Sequence, residues 1–122
     1  MTYAYDNFYS YITRGGEAGL ITAVNCSSGE IINCFVMGNV KCGNNRVGNI
    51  SGLNEGDIIS CYYDKALIMA DSKNVYTYGT ELTREAMSST DFYKIDLKWD
   101  SSIWDFTNVN LSNKVYPKLK QN

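Results

Sequence analysis

Histidine is absent from this chain of 122 residues, proline occurs once, and no apolar run approaches the length of a membrane span. Without imidazole there is no Ser-His-Asp or Cys-His nucleophilic site, no histidine general base and no mixed histidine zinc site. A helix crossing a bilayer needs about twenty apolar residues, so no membrane insertion is expected within this segment. A dominant charge is lacking too: 11 basic residues face 13 acidic ones, for a net charge of −2. That balance recommends neither nucleic acid nor an anionic membrane as partner. The start, Met1-Thr2-Tyr3-Ala4-Tyr5-Asp6, has neither the basic residues nor the apolar stretch of a signal peptide. The chain is therefore expected to be either cytosolic or a piece of a longer exported protein, and the repeat described next favours the second.

What the chain does have is small, polar and aromatic: thirteen asparagines, ten glycines and ten tyrosines. Asn and Gly tolerate left-handed backbone and mark tight corners, whereas Tyr, Val, Ile and Thr favour strands. With 44% hydrophobic and 20% charged residues the composition is that of a folded domain, and the length allows one. Short strands joined by corners are expected, and long amphipathic helices are not.

The pattern repeats. Gly29-Glu30-Ile31-Ile32-Asn33-Cys34-Phe35 matches Gly56-Asp57-Ile58-Ile59-Ser60-Cys61-Tyr62 at an offset of 27, with four identities and the like pairs Glu/Asp and Phe/Tyr. Gly19-Leu20-Ile21 matches Gly48-Asn49-Ile50 at an offset of 29. A unit of this length with glycine corners and no helical periodicity suits one coil of a parallel β-solenoid. Neighbouring coils there stack about 4.8 Å apart. The stacking predicts a ladder of Ile31 on Ile58, Cys34 on Cys61 and Phe35 on Tyr62, sharing one buried column. Ile31 and Cys34 are three residues apart, so strict alternation cannot turn both inward. A corner at Asn33 in left-handed conformation would do so, although Ser60 at the equivalent place is less suited to it.

These strings resemble the GLUG-motif repeats of bacterial surface proteins, including filamentous-haemagglutinin-like adhesins. Gly29-Glu30-Ile31-Ile32-Asn33-Cys34-Phe35-Val36-Met37-Gly38-Asn39-Val40 is similar to the family's Gly-x-Ile-x-Asn-Cys-Tyr-x-x-Gly-x-Val phrase. Val47-Gly48-Asn49-Ile50-Ser51-Gly52 is similar to its glycine-rich phrase, with Asn49 and Ser51 as departures, and Ser60 replaces the motif asparagine. The likeness extends through Gly79-Thr80-Glu81-Leu82-Thr83-Arg84-Glu85-Ala86-Met87, Phe92, Trp99, Trp104 and Tyr116-Pro117-Lys118-Leu119. It implies a right-handed parallel β-helix on an exported, surface-attached protein, and it implies no enzyme activity.

A solenoid's last coil exposes unpaired backbone and an apolar cross-section. Phe92, Ile95, Trp99, Trp104 and Phe106 are read as the plug over that open end, with Thr83 capping a short helix over residues 84–88 and Ser89 or Thr90 capping a second through Leu97. Trp99 and Trp104 are also the candidates for stacking on sugar rings. Residues 2–13, with five aromatics, are either an irregular first coil or a surface cut open when the fragment was defined.

Four cysteines, Cys26, Cys34, Cys42 and Cys61, lack the CxxC pairs of a zinc ribbon, so no metal or other cofactor is assigned. Cys34 and Cys61 are read as free thiols packed as small hydrophobes, and Cys26 and Cys42 as the better disulfide candidates. Glu30 with Asp57, and Asp64 with Lys65, are the carboxylate sites where a polysaccharide-processing β-helix would place its chemistry; solvated corner residues are the plainer reading. Asn25, Asn49 and Asn110 each head an Asn-x-Ser triplet of the glycosylation pattern. The chain is thus expected to be all-β: a short right-handed parallel β-helix with a small helical and aromatic C-terminal cap. Residues 1–17 form an irregular segment, 18–73 two coils, and 74–122 the last coil and cap, the coil built from residues 74–78 and 115–119. The expected role is a non-catalytic structural or adhesive module, secreted or at the cell surface, meeting host or cell-surface glycans or proteins and neighbouring coils of a longer chain. The alternative is a carbohydrate-binding or carbohydrate-processing β-helix.

Overall fold

The computed structural model describes the backbone of residues 3–4, 8–10, 17–42, 46–70 and 74–121, and the side chains of 17–40, 46–69 and 74–121. The protein is all-β in character, with short strands in mainly parallel sheets and few helical turns. Among the described residues no helix is long and apolar enough to cross a membrane.

A first pass of the chain carries β1 (Tyr3–Ala4), β2 (Phe8–Ser10), β3 (Glu17–Ala18), β4 (Thr22–Asn25) and β5 (Glu30–Ile32). A second carries β6 (Phe35–Val36), β7 (Asn39–Cys42), β8 (Arg46–Gly48), β9 (Ser51–Asn54) and β10 (Asp57–Ile59). Each strand of the second pairs in parallel with its counterpart in the first. A third pass lays β11 (Tyr62–Asp64), β12 (Ile68–Ala70) and β13 (Asn74–Tyr76) on β6, β7 and β8, again in parallel. The strands of the first segment, β1 and β2, therefore take the same pairings as the later ones. Ile31 pairs with Ile58, and Phe35 with Tyr62, each 27 residues on.

The corner between β5 and β6 makes this register work. Asn33 and Ser60 both adopt left-handed backbone, with φ of 56° and 51°. The turn restores Ile31 and Cys34 to one side, and both are buried in a cluster with Val36, Ile50 and Cys61. Serine thus accepts the strained conformation at the second corner, where an L-residue pays about 1 kcal/mol for the crowding of Cβ. Glycine corners pack as tightly: a Cβ on Gly56 would collide with the Gly29 carbonyl oxygen one pass below.

The Phe35–Tyr62 column lies on the other face from the Ile31 column. Val36 points inward, while Phe35 is fully buried on the outer side of the sheet ordered β1, β6, β11 and β14 (Thr80–Leu82). There it meets the C-terminal third of the chain. Phe35, Tyr62 and Leu82, from three successive strands, all pack against Met87, Phe92, Tyr93 and Trp99. The aromatic segment consequently covers the face of a sheet, and the expected plug over an open end is not what it forms. Period-2 alternation is the reason: adjacent residues of a strand face opposite ways, so both sides of a two-residue strand need burial.

The third pass is cut short. After β13 the chain turns directly into β14, which pairs with β11 so that Tyr62 faces Thr80, only 18 residues on. Among the described residues no strand lies on the free edges of β9 and β10. The fully buried Asn49 makes the short cut: its Nδ2 donates to the Tyr78 carbonyl (2.7 Å), and its Oδ1 accepts from the N–H groups of Tyr78 and Ile50 (both 2.9 Å). Gly79 then turns at a φ of +81°, where a Cβ would lie 2.6 Å from the Cys61 carbonyl oxygen. The expected closing strand from residues 115–119 does not join the parallel sheets. β15 (Trp104–Asp105) and β16 (Lys118–Leu119) pair antiparallel with each other inside the C-terminal segment.

Two substitutions test this account. Asn49→Ala leaves three backbone groups without their partner and should lower the unfolding free energy by about 2–4 kcal/mol, read as a shifted urea midpoint. Ser60→Asn places the better left-handed residue at the corner and should raise stability by about 0.5 kcal/mol; a loss would show that the corner does not set the register.

Candidate functional site

The C-terminal segment is assembled around Phe35. Its ring centroid lies 6.0, 5.7 and 5.9 Å from those of Phe92, Tyr93 and Trp99. Tyr93 stacks on Phe106 at 5.1 Å, and Trp99 sits 4.7 Å from Trp104. Edge-to-face and offset pairs of this kind add about 0.5–1.5 kcal/mol each beyond the area they bury.

Local hydrogen bonds hold these rings in place. Thr83 Oγ1 accepts from Ala86 N–H at the start of a 3₁₀ turn over Ala86–Ser88, as its position before the helical residues predicts. Ser89 Oγ accepts from Phe92 N–H, and the following turn over Phe92–Asp96 is π-helical, closed by Leu97 N–H on the Phe92 carbonyl. The wide turn puts Phe92, Tyr93 and Leu97 on one buried side and leaves Ile95 63% exposed, so Ile95 is not part of the apolar cover. A second 3₁₀ turn, Leu111–Asn113, is tied back through Leu111 N–H to Ser88 Oγ.

Trp99 is only 2% exposed, and its indole N–H donates to the Asn33 carbonyl oxygen at 2.8 Å. It joins the cap to the left-handed corner and has no free face for a sugar ring. Trp104 is half-buried and lines an open groove of about 460 Å³ together with Lys94, Asp105, Phe106, Thr107 and Lys120. Of the two tryptophans singled out for glycan stacking, Trp104 alone borders open space. The Asp105 carboxylate is held below its ordinary range by hydrogen bonds from the Thr107 side chain and N–H, the latter at 2.8 Å. Asp100 is lowered in the same way by Ser102. Both carboxylates are charged hydrogen-bond acceptors at neutral pH, fixed in orientation by their own loops.

The other chemical candidates resolve separately. Glu30 and Asp57 pair in register and are exposed, as solvated corner residues. Asp64 is buried, and its Oδ2 receives the Arg84 guanidinium at 2.7 Å while its Oδ1 accepts from Ala66 N–H. That pair fastens β11 to the loop after β14; it leaves no carboxylate free for proton transfer. Among the described residues no cluster of three or more Cys, Asp or Glu is placed to hold a metal ion. Cys26 is exposed, and Cys34 and Cys61 are buried side by side in the inner cluster. The Cys42 side chain lies outside the described residues. The hydrogen bond with Cys34, and then burial, push the Cys61 thiol well above its ordinary value. Two of the Asn-x-Ser triplets are turned inward. Asn25 is buried with its amide donating to Asn54 Oδ1 (2.8 Å) and the Asp57 carbonyl (3.2 Å), and Asn49 is engaged as described; Asn110 is exposed.

Reading the sequence does not single out Asn54, and it marks Asn25 and Asn49 only as heads of Asn-x-Ser triplets, not as buried hydrogen-bonding groups. For Asn25 and Asn54 the signal is their repetition at an offset of 29; Asn49 has no such partner. Comparison with protein-family models, with curated proteins and with solved structures finds no match for this chain.

Alkylation separates the thiols. Iodoacetamide should modify Cys26 in the folded protein and reach Cys34 and Cys61 only in denaturant, because both thiols are buried and the raised pKa of Cys61 leaves it little thiolate. Mass spectrometry of the digested protein reads the outcome, and native labelling of Cys61 would contradict its place in the core.

Proposed function

We propose that the chain is a non-catalytic structural or adhesive module of an exported bacterial cell-surface protein, built as a short right-handed parallel β-helix of the GLUG-repeat kind. The observation that carries the reading is the parallel, like-on-like register: Ile31 on Ile58 and Phe35 on Tyr62, with left-handed corners at Asn33 and Ser60. Stacked passes of this sort bury a continuous column and stiffen the chain along one axis, which suits a spacer or stalk. A parallel crossover returning to the same sheet is right-handed in nearly all proteins. Supporting a non-catalytic role, the buried Asp64 is paired with Arg84, and Glu30 and Asp57 are exposed strand residues. Protease treatment of intact cells of the source organism tests the location: peptides of this chain should be released before lysis, and their release only after lysis would overturn the surface assignment.

A second reading rests on the groove beside Trp104. A half-buried indole flanked by Lys94, Asp105, Thr107 and Lys120 offers a flat apolar surface with polar groups at its rim, the combination that suits a sugar ring. On a glycan array the purified protein should bind defined oligosaccharides, and Trp104→Ala should abolish binding with the urea midpoint largely retained. An array without signal removes the carbohydrate reading and leaves the structural one.

A further inference from the structure

The shortened third pass leaves one part of the stack different from the rest. β1, β6, β11 and β14 form a four-stranded sheet, and the sheets through β7 and β8 each have three strands, but β4–β9 and β5–β10 stop at two. Among the described residues no strand pairs with the second side of β10. Asp57 N–H donates downward to the Gly29 carbonyl, and the Ile59 carbonyl accepts from Asn33 N–H. Alternation along a parallel strand then aims the N–H and C=O of Ile58, the residue between, at the open side. Side chains report the same gap: Ile31 is 8% exposed beneath Ile58, Ile58 is half-buried, and Ile59 is 48% exposed. The asparagine ladder stops here as well. The Asn25 amide reaches up to Asn54 Oδ1, while the Asn54 amide, with no rung above, turns to its own Gly56 carbonyl at 3.1 Å.

Charge narrows what the edge would accept. Natural edge strands are commonly guarded by lysine. Here Glu30, Glu55 and Asp57 are exposed, Glu30 and Asp57 directly paired, and residues 19–40 and 47–64, which build this flank, contain no Lys or Arg. Like charges opposite each other on neighbouring strands repel, and a cation on the next rung would relieve that repulsion. We propose that the free edge of β10, continued by β9, takes an extended peptide segment bearing lysine or arginine as an added parallel strand. Backbone pairing with Ile58 would supply affinity, and the carboxylates of Glu55 and Asp57 would select for cationic side chains. The proposal requires only the parallel register and the short third pass, so it stands or falls apart from the surface assignment.

Two synthetic peptides serve as probes: a copy of residues 50–60, and the same peptide carrying E55K and D57K. By fluorescence anisotropy at physiological ionic strength the lysine peptide should bind the full chain at least roughly tenfold more tightly than the acidic one. In the charge-swapped protein, Glu55→Lys with Asp57→Lys, the preference should reverse. Hydrogen exchange at the Ile58 amide, fast in the free protein, should slow when the lysine peptide is bound. Equal binding of the two peptides, absence of binding, or binding that leaves Ile58 exchange unchanged would each overturn the proposal. So would protection of Ile58 in the protein alone at rising concentration, which would assign the edge to a second copy of the chain.

Discussion

Two residues in left-handed conformation, Asn33 and Ser60, decide which way the side chains around them face. Each sits between a three-residue strand and a strand that faces two clusters at once. Without the corner, Ile31 and Cys34 would face opposite sides, and a one-residue slip would reverse Phe35 and Val36 as well. With it, Ile31, Cys34 and Val36 join the inner cluster while Phe35 is delivered to the cap. The corner also exposes the Asn33 carbonyl to the outer face, where the Trp99 indole N–H bonds it. One backbone conformation therefore fixes the inner core, the outer core and a hydrogen bond joining two segments 66 residues apart in the chain.

The cap follows from this. Strands of two to four residues bury little area singly, and a chain of this length has a limited core to share among them. Covering the outer face of the β1–β6–β11–β14 sheet adds a second apolar layer in which Phe35, Phe92, Tyr93 and Trp99 are nearly inaccessible to water. Full burial of a large apolar side chain contributes about 1.5–3 kcal/mol, so the layer is comparable in weight to the inner column. Among the described residues the last strand of the β3–β8–β13 sheet has no such cover. Val47 is fully buried beneath Val75, but Val75, on the last strand of its sheet, is 48% exposed. The aromatic segment is thus a lateral brace, placed where three rungs can be held together at once, rather than a lid.

How much of this the sequence discloses depends on what each residue type can signal. The paired phrases around Ile31 and Ile58 are legible because stacking places like on like, and repetition survives even where local periodicity is too short to read. The inward and outward assignment of Phe35 and Val36 is not legible: both are apolar, and when both faces of a strand are buried the period-2 signal vanishes. Asparagine is ambiguous in another way. At Asn33 it marks a corner; at Asn25 and Asn49 it is a buried hydrogen-bonding group, and composition cannot distinguish solvated from buried amides. Residues 115–119 read as a closing strand because they are strand-like, but they have no repeat partner, and after the left-handed Lys114 the chain pairs Leu119 with Trp104. Trp99 and Trp104 look alike as isolated tryptophans; only the path of the cap buries one and leaves the other beside a groove.

Asn49 connects these threads. In the repeat it occupies a position that departs from the glycine-rich phrase, and on sequence grounds it reads as decay of the pattern. In the fold its carboxamide does what a backbone peptide of the next rung would do, accepting one N–H and donating to one carbonyl of Tyr78. A side chain that imitates a rung allows the chain to leave the repeat early without abandoning buried polar groups, whose loss of partners costs about 1–3 kcal/mol apiece. The saving in chain length has a structural consequence two strands away, because β9 and β10 lose the layer that would have covered them. Ending a parallel stack gradually, one sheet at a time, leaves a ledge instead of a flat end. A ledge presents a single strand edge beside a wall that is already formed, and an incoming segment there meets both a backbone template and a neighbouring side-chain surface.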